Sequence, residues 1–267
     1  MSGLAALWRR RRSLGAVAAD LRTGWRPLRL VGWWLAQQAV ILPYFTIMAH
    51  RSVAAAATRR GLHLVRLEQR LGLFVEPRLA GLTHAGWLDW LYLWPHSVLL
   101  VGCLPLVYWR RRSYAAFLVL RCWWAMSLGS VAYIRWPTAP PRLLPPLRLA
   151  GGAFRFPDGL DQVAGGAPSF DLYAAFPSYH VAFAVIVLGA ALACRPGWAA
   201  RLLGCAYVVF ISLVVLMSAN HYLADVLGGL VLGALSGMAA RLTVRAWAGR
   251  RAGVGGRAEP DAAARAA

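Results

Sequence analysis

Lysine is absent from the 267-residue chain, so all 29 of its basic side chains are arginines, and they stand against only 10 acidic residues, for a formal charge of +19 at pH 7. A basic surplus often marks a nucleic-acid binder. Here the arginines sit in short clusters between apolar runs, which suits membrane orientation and anionic headgroups instead, and no nucleic-acid partner is expected. Cysteine is scarce as well: Cys103, Cys122, Cys194 and Cys205 are scattered through apolar stretches without a CxxC pair, so neither a zinc site nor a disulfide framework is indicated. Also missing are any internal repeat and the alternating segments of about ten residues that a membrane β-barrel needs. In "MSGLAALWRRRRSLG" the arginines follow a short apolar stretch, the reverse of the order in a cleavable signal peptide, and the first spanning helix is expected to act as the signal.

Charge of either sign is sparse at 15%, whereas hydrophobic residues reach 59% with a mean hydropathy of +0.52, against about 45–50% in a soluble domain. Runs near the roughly 17–25 residues needed to cross the hydrocarbon occur at 30–49, 88–109, 114–134, 179–194, 202–219 and 222–244. The expected class is all-α, a polytopic membrane protein with six transmembrane helices. A basic N-terminal segment at 1–29, a six-helix domain at 30–245 and a disordered tail at 246–267 complete the chain. Arginine clusters at Arg9–Arg12, Arg110–Arg112, Arg195 with Arg201, and Arg241 with Arg245 place alternate connections and both termini in the cytoplasm of a cell-membrane protein. Residues 50–87 and 135–178 then fall outside. Within the first of these, "HLVRLEQRLGLFVEPRL" repeats Leu64, Leu67, Leu71 and Phe74 at helical spacing, the pattern of an external amphipathic helix lying on the membrane surface.

Three polar clusters reach the same outer layer under this topology: "YIRWPTAPPRLLPP", "FPSYH" and "SANHYLAD". In the last, His221 and Asp225 are four residues apart, on one helix face about 6 Å apart along the axis, so the carboxylate can fix one imidazole nitrogen and leave the other as a base or nucleophile. The N-termini opening at "FPSYH" and "HYLAD" favour an anion. Arg135 and Arg142 add guanidinium forks suited to phosphate oxygens, with Ser178 as a neutral donor and His180 as a protonatable one.

"PSYH" followed about forty residues later by "HYLAD" resembles the type 2 phosphatidic acid phosphatase superfamily, whose pattern is KxxxxxxRP, PSGH, then SRxxxxxHxxxD. "PTAPPRL", "AAFPSYHVAFA" and "NHYLADVLGG" are similar to the branch containing inositol phosphorylceramide synthase. The resemblance implies a lipid phosphatase or phosphotransferase in which His221 is the nucleophile, Asp225 its orienting partner and His180 the general acid. Ser178 and Arg142 would hold phosphate, with Arg135 in the place of the family's lysine. Val214 and Val215 stand where the family has Ser-Arg, and Asn220 is the expected source of a replacement hydrogen bond. No metal or organic cofactor is needed for such a reaction; the partners are a membrane lipid phosphate and the bilayer, acted on at the extracytoplasmic face. A non-catalytic carrier or receptor for anionic lipids would use Arg142 but has no need of the His221/Asp225 pair.

Overall fold

The computed structural model describes residues 51–80, 91–92, 102–149, 152–154, 173–194 and 197–255, together with Gly32, Leu35 and Ala36. Helix α1 (Arg51–Arg70) and the short α2 (Glu76–Ala80) precede helical residues 102–110 and α3 (Arg112–Arg135). A 3-10 turn (Pro141–Leu143) and a two-stranded hairpin, β1 (Leu147–Leu149) and β2 (Gly152–Phe154), lead to α4 (Tyr179–Cys194), α5 (Trp198–Met217) and α6 (Leu223–Gly255).

Three described helices are long and apolar enough to cross a membrane: Tyr114–Arg135, Trp198–Met217 and Leu223–Ala246. Helix α4, apolar after its first two residues, has 16 residues. The spans expected at 30–49 and 88–109 fall largely outside the described residues. Two expectations change. Helix α6 continues past 246 to Gly255, into the segment expected to be a disordered tail. A β-hairpin, antiparallel with Leu147 opposite Phe154, also joins a fold that is otherwise helical; it follows a Pro-rich stretch that cannot sustain a helix.

Small residues decide how the helices meet. A Cβ at Gly229 would stand 2.5 Å from the Ser178 carbonyl oxygen, and one at Gly233 would stand 2.9 Å from that of Ala182, so α6 can lie directly on α4. Gly204 of α5 similarly takes the Leu188 side chain of α4. Lipid is as apolar as leucine, so close backbone approach rather than hydrophobic burial drives such association. The large apolar side chains point outward: Leu202, Leu203, Val209 and Phe210 on α5, and Leu227, Val231 and Met238 on α6, are exposed.

Arg121, in the middle of α3, is not drawn toward the membrane surface as its long side chain would permit. It is buried, and Nη2 donates to the carbonyls of Gly233 (2.9 Å) and Val185 (3.4 Å), tying α3 to α6 and α4. Gly189 and Gly237 leave the room that its guanidinium fills.

Helix α1 also differs from its sequence pattern. Its packed face is Ala57, Gly61, Val65 and Glu68, while Leu67 and Leu71 are exposed; Leu64 and Phe74 are only partly covered. Gly61 is needed because the Tyr222 hydroxyl would lie 2.7 Å from any Cβ there. Helix α1 is thereby docked against the entry to α6.

Candidate active site

The end of α3, the start of α4, the end of α5 and the start of α6 meet in one layer. A parallel bridge joins Thr138 to Ala174. Ser178 N–H donates to the Asp225 carbonyl at 3.0 Å, and Arg142 N–H donates to the Ala219 carbonyl at 3.1 Å. Ala219 itself takes the left-handed conformation, with φ of 52°, at the tight reversal between α5 and α6. The three polar clusters are thus brought together.

Pro141 sets the first position of the 3-10 turn, and Arg142 follows it, buried. Its Nε donates to Asn220 Oδ1 at 2.7 Å. The Asn220 amide nitrogen donates to Ser218 Oγ at 2.9 Å and to the Ser218 carbonyl at 3.2 Å. Both ends of Asn220 are therefore engaged, its oxygen orienting the guanidinium of Arg142 and its nitrogen anchored on Ser218.

His221 is buried beside Asp225. Its Nδ1 lies 2.8 Å from the Ala175 carbonyl and 3.3 Å from Asp225 Oδ2. A carbonyl oxygen only accepts, so Nδ1 carries a proton, and in the neutral ring Nε2 is the nitrogen with the lone pair. That Nε2 is buried and makes no hydrogen bond among the described residues. Asp225 Oδ2 also accepts from Tyr222 N–H at 2.8 Å. The carboxylate at the third helical position reaching back to the cap N–H is capping-box geometry. Asp225 therefore both braces His221 and starts α6, while the shorter bond to the imidazole comes from a backbone carbonyl.

His180 occupies the first turn of α4, its ring 6.1 Å from that of His221. The Tyr92 ring lies tilted against that of His180, 4.0 Å between centroids, and stands 6.3 Å from His221, so one aromatic ring borders both histidines. Ser178 is the residue before α4, fully buried, and its Oγ accepts from Val181 N–H at 3.4 Å. It acts as an N-cap, with a hydroxyl proton still available to donate.

A family model of the PAP2 superfamily matches residues 62–239. The chain belongs to the PAP2 superfamily. Membership carries phosphatase or phosphotransferase chemistry on phosphate esters, together with membrane association. No curated protein and no solved structure matches the chain.

This PAP2 domain keeps His180, His221, Asp225, Arg142 and Ser178 in one layer, but Arg135 is separate: it is exposed at the last turn of α3. Val214 and Val215, where the family pattern has Ser-Arg, are buried in an apolar cluster with Tyr92, Val181 and Ala184, and leave no polar group at that point. Tyr179 stands where the family has glycine. Its ring fills the space above Gly129, and its hydroxyl donates to the Met126 carbonyl at 2.7 Å.

Four participants carry no recognisable signal in the sequence: Tyr92, the Ala175 carbonyl, Glu68 and Glu76. The last two occupy the start of α6, where Leu223 N–H donates to Glu76 Oε1 and Ala224 N–H to Glu68 Oε1, each at 2.8 Å. The anion-binding end of α6 is accordingly filled by the protein's own carboxyls rather than left for phosphate. Among the described residues no group of three or more His, Cys, Asp or Glu is arranged to hold a metal ion.

Proposed function

We propose that this PAP2 protein is a lipid phosphatase or phosphotransferase that works through a phosphohistidine on His221 at the extracytoplasmic face of the cell membrane. The observation that carries the reading is the tautomer of His221: Nδ1 is bonded to a carbonyl at 2.8 Å, and Nε2 is left without a hydrogen bond among the described residues. Arg142 and Ser178 receive the phosphate, and Nε2 attacks phosphorus. The bond from phosphorus to the lipid oxygen breaks as His180 gives that oxygen a proton. His180, now neutral, takes a proton from water or from an acceptor alcohol, whose oxygen attacks the phosphohistidine and restores His221. Arginine supplies the charge stabilisation.

The likeness to the inositol phosphorylceramide synthase branch supports an alcohol as one acceptor. The topology in this reading has six spans with both termini cytoplasmic, because the arginine clusters at Arg110–Arg112, Arg201 and Arg241 lie on the side opposite the site.

A panel of labelled lipid phosphates, comprising phosphatidic acid, a polyprenyl phosphate and phosphatidylinositol, offered to the purified protein with and without inositol, tests this. Turnover of at least one, lost in His221→Ala, is expected. Free phosphate released without an alcohol identifies a hydrolase, and product that requires inositol identifies a transferase. Binding of these lipids with no turnover, or full turnover by His221→Ala, rejects the mechanism.

A further inference from the structure

Glu68 of α1 and Glu76 of α2 are almost completely buried, at 3% and 0% exposure. Each uses one oxygen to accept a backbone N–H of the first turn of α6. The other oxygen of each is buried and has no hydrogen-bond partner among the described residues, while the two carboxyls sit on adjacent backbone N–H groups, those of Leu223 and Ala224, and so lie side by side. Two ionised carboxylates cannot hydrogen-bond; a carboxyl and a carboxylate can. One proton between them satisfies both buried oxygens and leaves a single negative charge at the positive end of α6. Desolvation by burial, reinforced by the Glu76 hydrogen bond and charge, pushes the Glu68 carboxyl up to about 9, against the opposing pull of Ala224 N–H. Glu76 of α2, with Asp225 and Tyr222 at the entry to α6, makes up the titratable surroundings.

The turn that the pair grips carries the nucleophile. Leu223 and Ala224 lie between His221 and Asp225 in the chain, and the backbone reaches no further helical turn before Asp225. Helix α1 is otherwise joined to this region through Gly61, under the Tyr222 hydroxyl, and through the bond from Ala139 N–H to the Ala57 carbonyl at 3.1 Å. We propose that Glu68 and Glu76 form a proton-sharing carboxyl pair that acts as a positioning device for the phosphoryl-transfer site, fixing the first turn of α6 and with it the His221–Asp225 geometry. This rests on the reading of His221 as the nucleophile. Neither carboxyl touches substrate; both act through the backbone of residues 223 and 224.

The test compares Glu68→Gln, Glu76→Gln, Glu68→Ala and Glu68→Ala/Glu76→Ala in the purified full-length protein. A single glutamine keeps an oxygen for the backbone N–H and replaces the shared proton with an amide donor, so each Gln variant is expected to retain at least a third of the wild-type kcat. The alanine variants leave helix N–H groups unmatched and let His221 shift. Misplacement on the scale of 1 Å can cost about 10²-fold, and a loss of about 10- to 100-fold in kcat with KM within about twofold is expected. Infrared difference spectra supply a readout independent of turnover. Wild type at pH 8 should show the carbonyl stretch of a protonated carboxylic acid, and both single Gln variants should lack it. Wild-type kcat in the double alanine variant, or no change in that band on Glu68→Gln, overturns the proposal. If the alanine variants do not fold, the infrared comparison still decides it. A wild type that turns over no lipid phosphate contradicts the functional reading instead, and the band then decides the pair by itself.

Discussion

His221 has two acceptors on Nδ1, and their unequal lengths govern how the site responds to substitution. The Ala175 carbonyl, at 2.8 Å, holds the tautomer even when Asp225 at 3.3 Å is changed. Asp225→Asn should therefore lower kcat by less than about 10²-fold, below the range typical of losing a general acid or base, while His221→Ala removes turnover; steady-state rates on one lipid phosphate check the ratio. A fall with Asp225→Asn as deep as with His221→Ala would mean that the carbonyl does not hold the ring. In the proposed mechanism Asn220 acts through Arg142. Its oxygen fixes the Arg142 guanidinium at 2.7 Å, and a hydrogen bond to a charged group contributes about 1.5–3 kcal/mol. Asn220→Ala should raise KM by roughly tenfold or more through a misaligned Arg142, with a smaller effect on kcat.

At the scale of elements, packing depends on glycines placed against particular atoms. A methyl at Gly229 meets the Ser178 carbonyl oxygen, a backbone atom that cannot swing away, whereas a Cβ at Gly102 meets nothing within 4 Å among the described residues. Gly229→Ala is expected to cost about 1–3 kcal/mol and to lower the thermal midpoint in detergent, with Gly102→Ala within about 0.5 kcal/mol of wild type. Equal midpoints would show that α4 and α6 do not approach so closely. The carboxyl pair gives α1 a pH signature. The folded-state value of Glu68, about 9, lies above the ordinary 4.5, so its contribution is complete below about 4.5 and is lost as pH rises through 9. Wild type should lose thermal stability between pH 5 and 9 more steeply than Glu68→Gln, as read by midpoints across that range.

These elements also show what a sequence reveals. Helices α3 to α6 announce themselves because long apolar runs and their arginine ends are local properties: α4 begins at Tyr179 and ends at Cys194, as its hydrophobic run indicates. His180, His221 and Asp225 are legible because their chemistry and spacing are carried by adjacent residues. The Glu68 and Glu76 bonds instead span 156 and 147 residues, and a backbone carbonyl such as Ala175 has no side-chain signature. The leucine pattern of α1 misleads for a physical reason: beside a membrane, small residues and a satisfied carboxyl make the tight interface, and leucines can face lipid.

Among the described residues, the polar site lies at one end of the helices, and Arg110–Arg112, Arg201 and Arg241 lie toward the other. With the four cysteines replaced by alanine, a single cysteine at Pro146, exposed beside the site layer, should react with a membrane-impermeant maleimide in intact cells. One at Trp198, exposed at the opposite end of α5, should react only after permeabilisation. The reverse pattern would invert the topology.

The central claim, that His221 Nε2 takes the phosphoryl group, is met most directly by quenching the purified protein during turnover of a lipid carrying radiolabelled phosphate and locating the label by peptide mass spectrometry. The account predicts an acid-labile phosphohistidine at residue 221, absent from His221→Ala. Turnover with no phosphoryl group on the protein under conditions that preserve phosphohistidine, or label on His180 in its place, would contradict it.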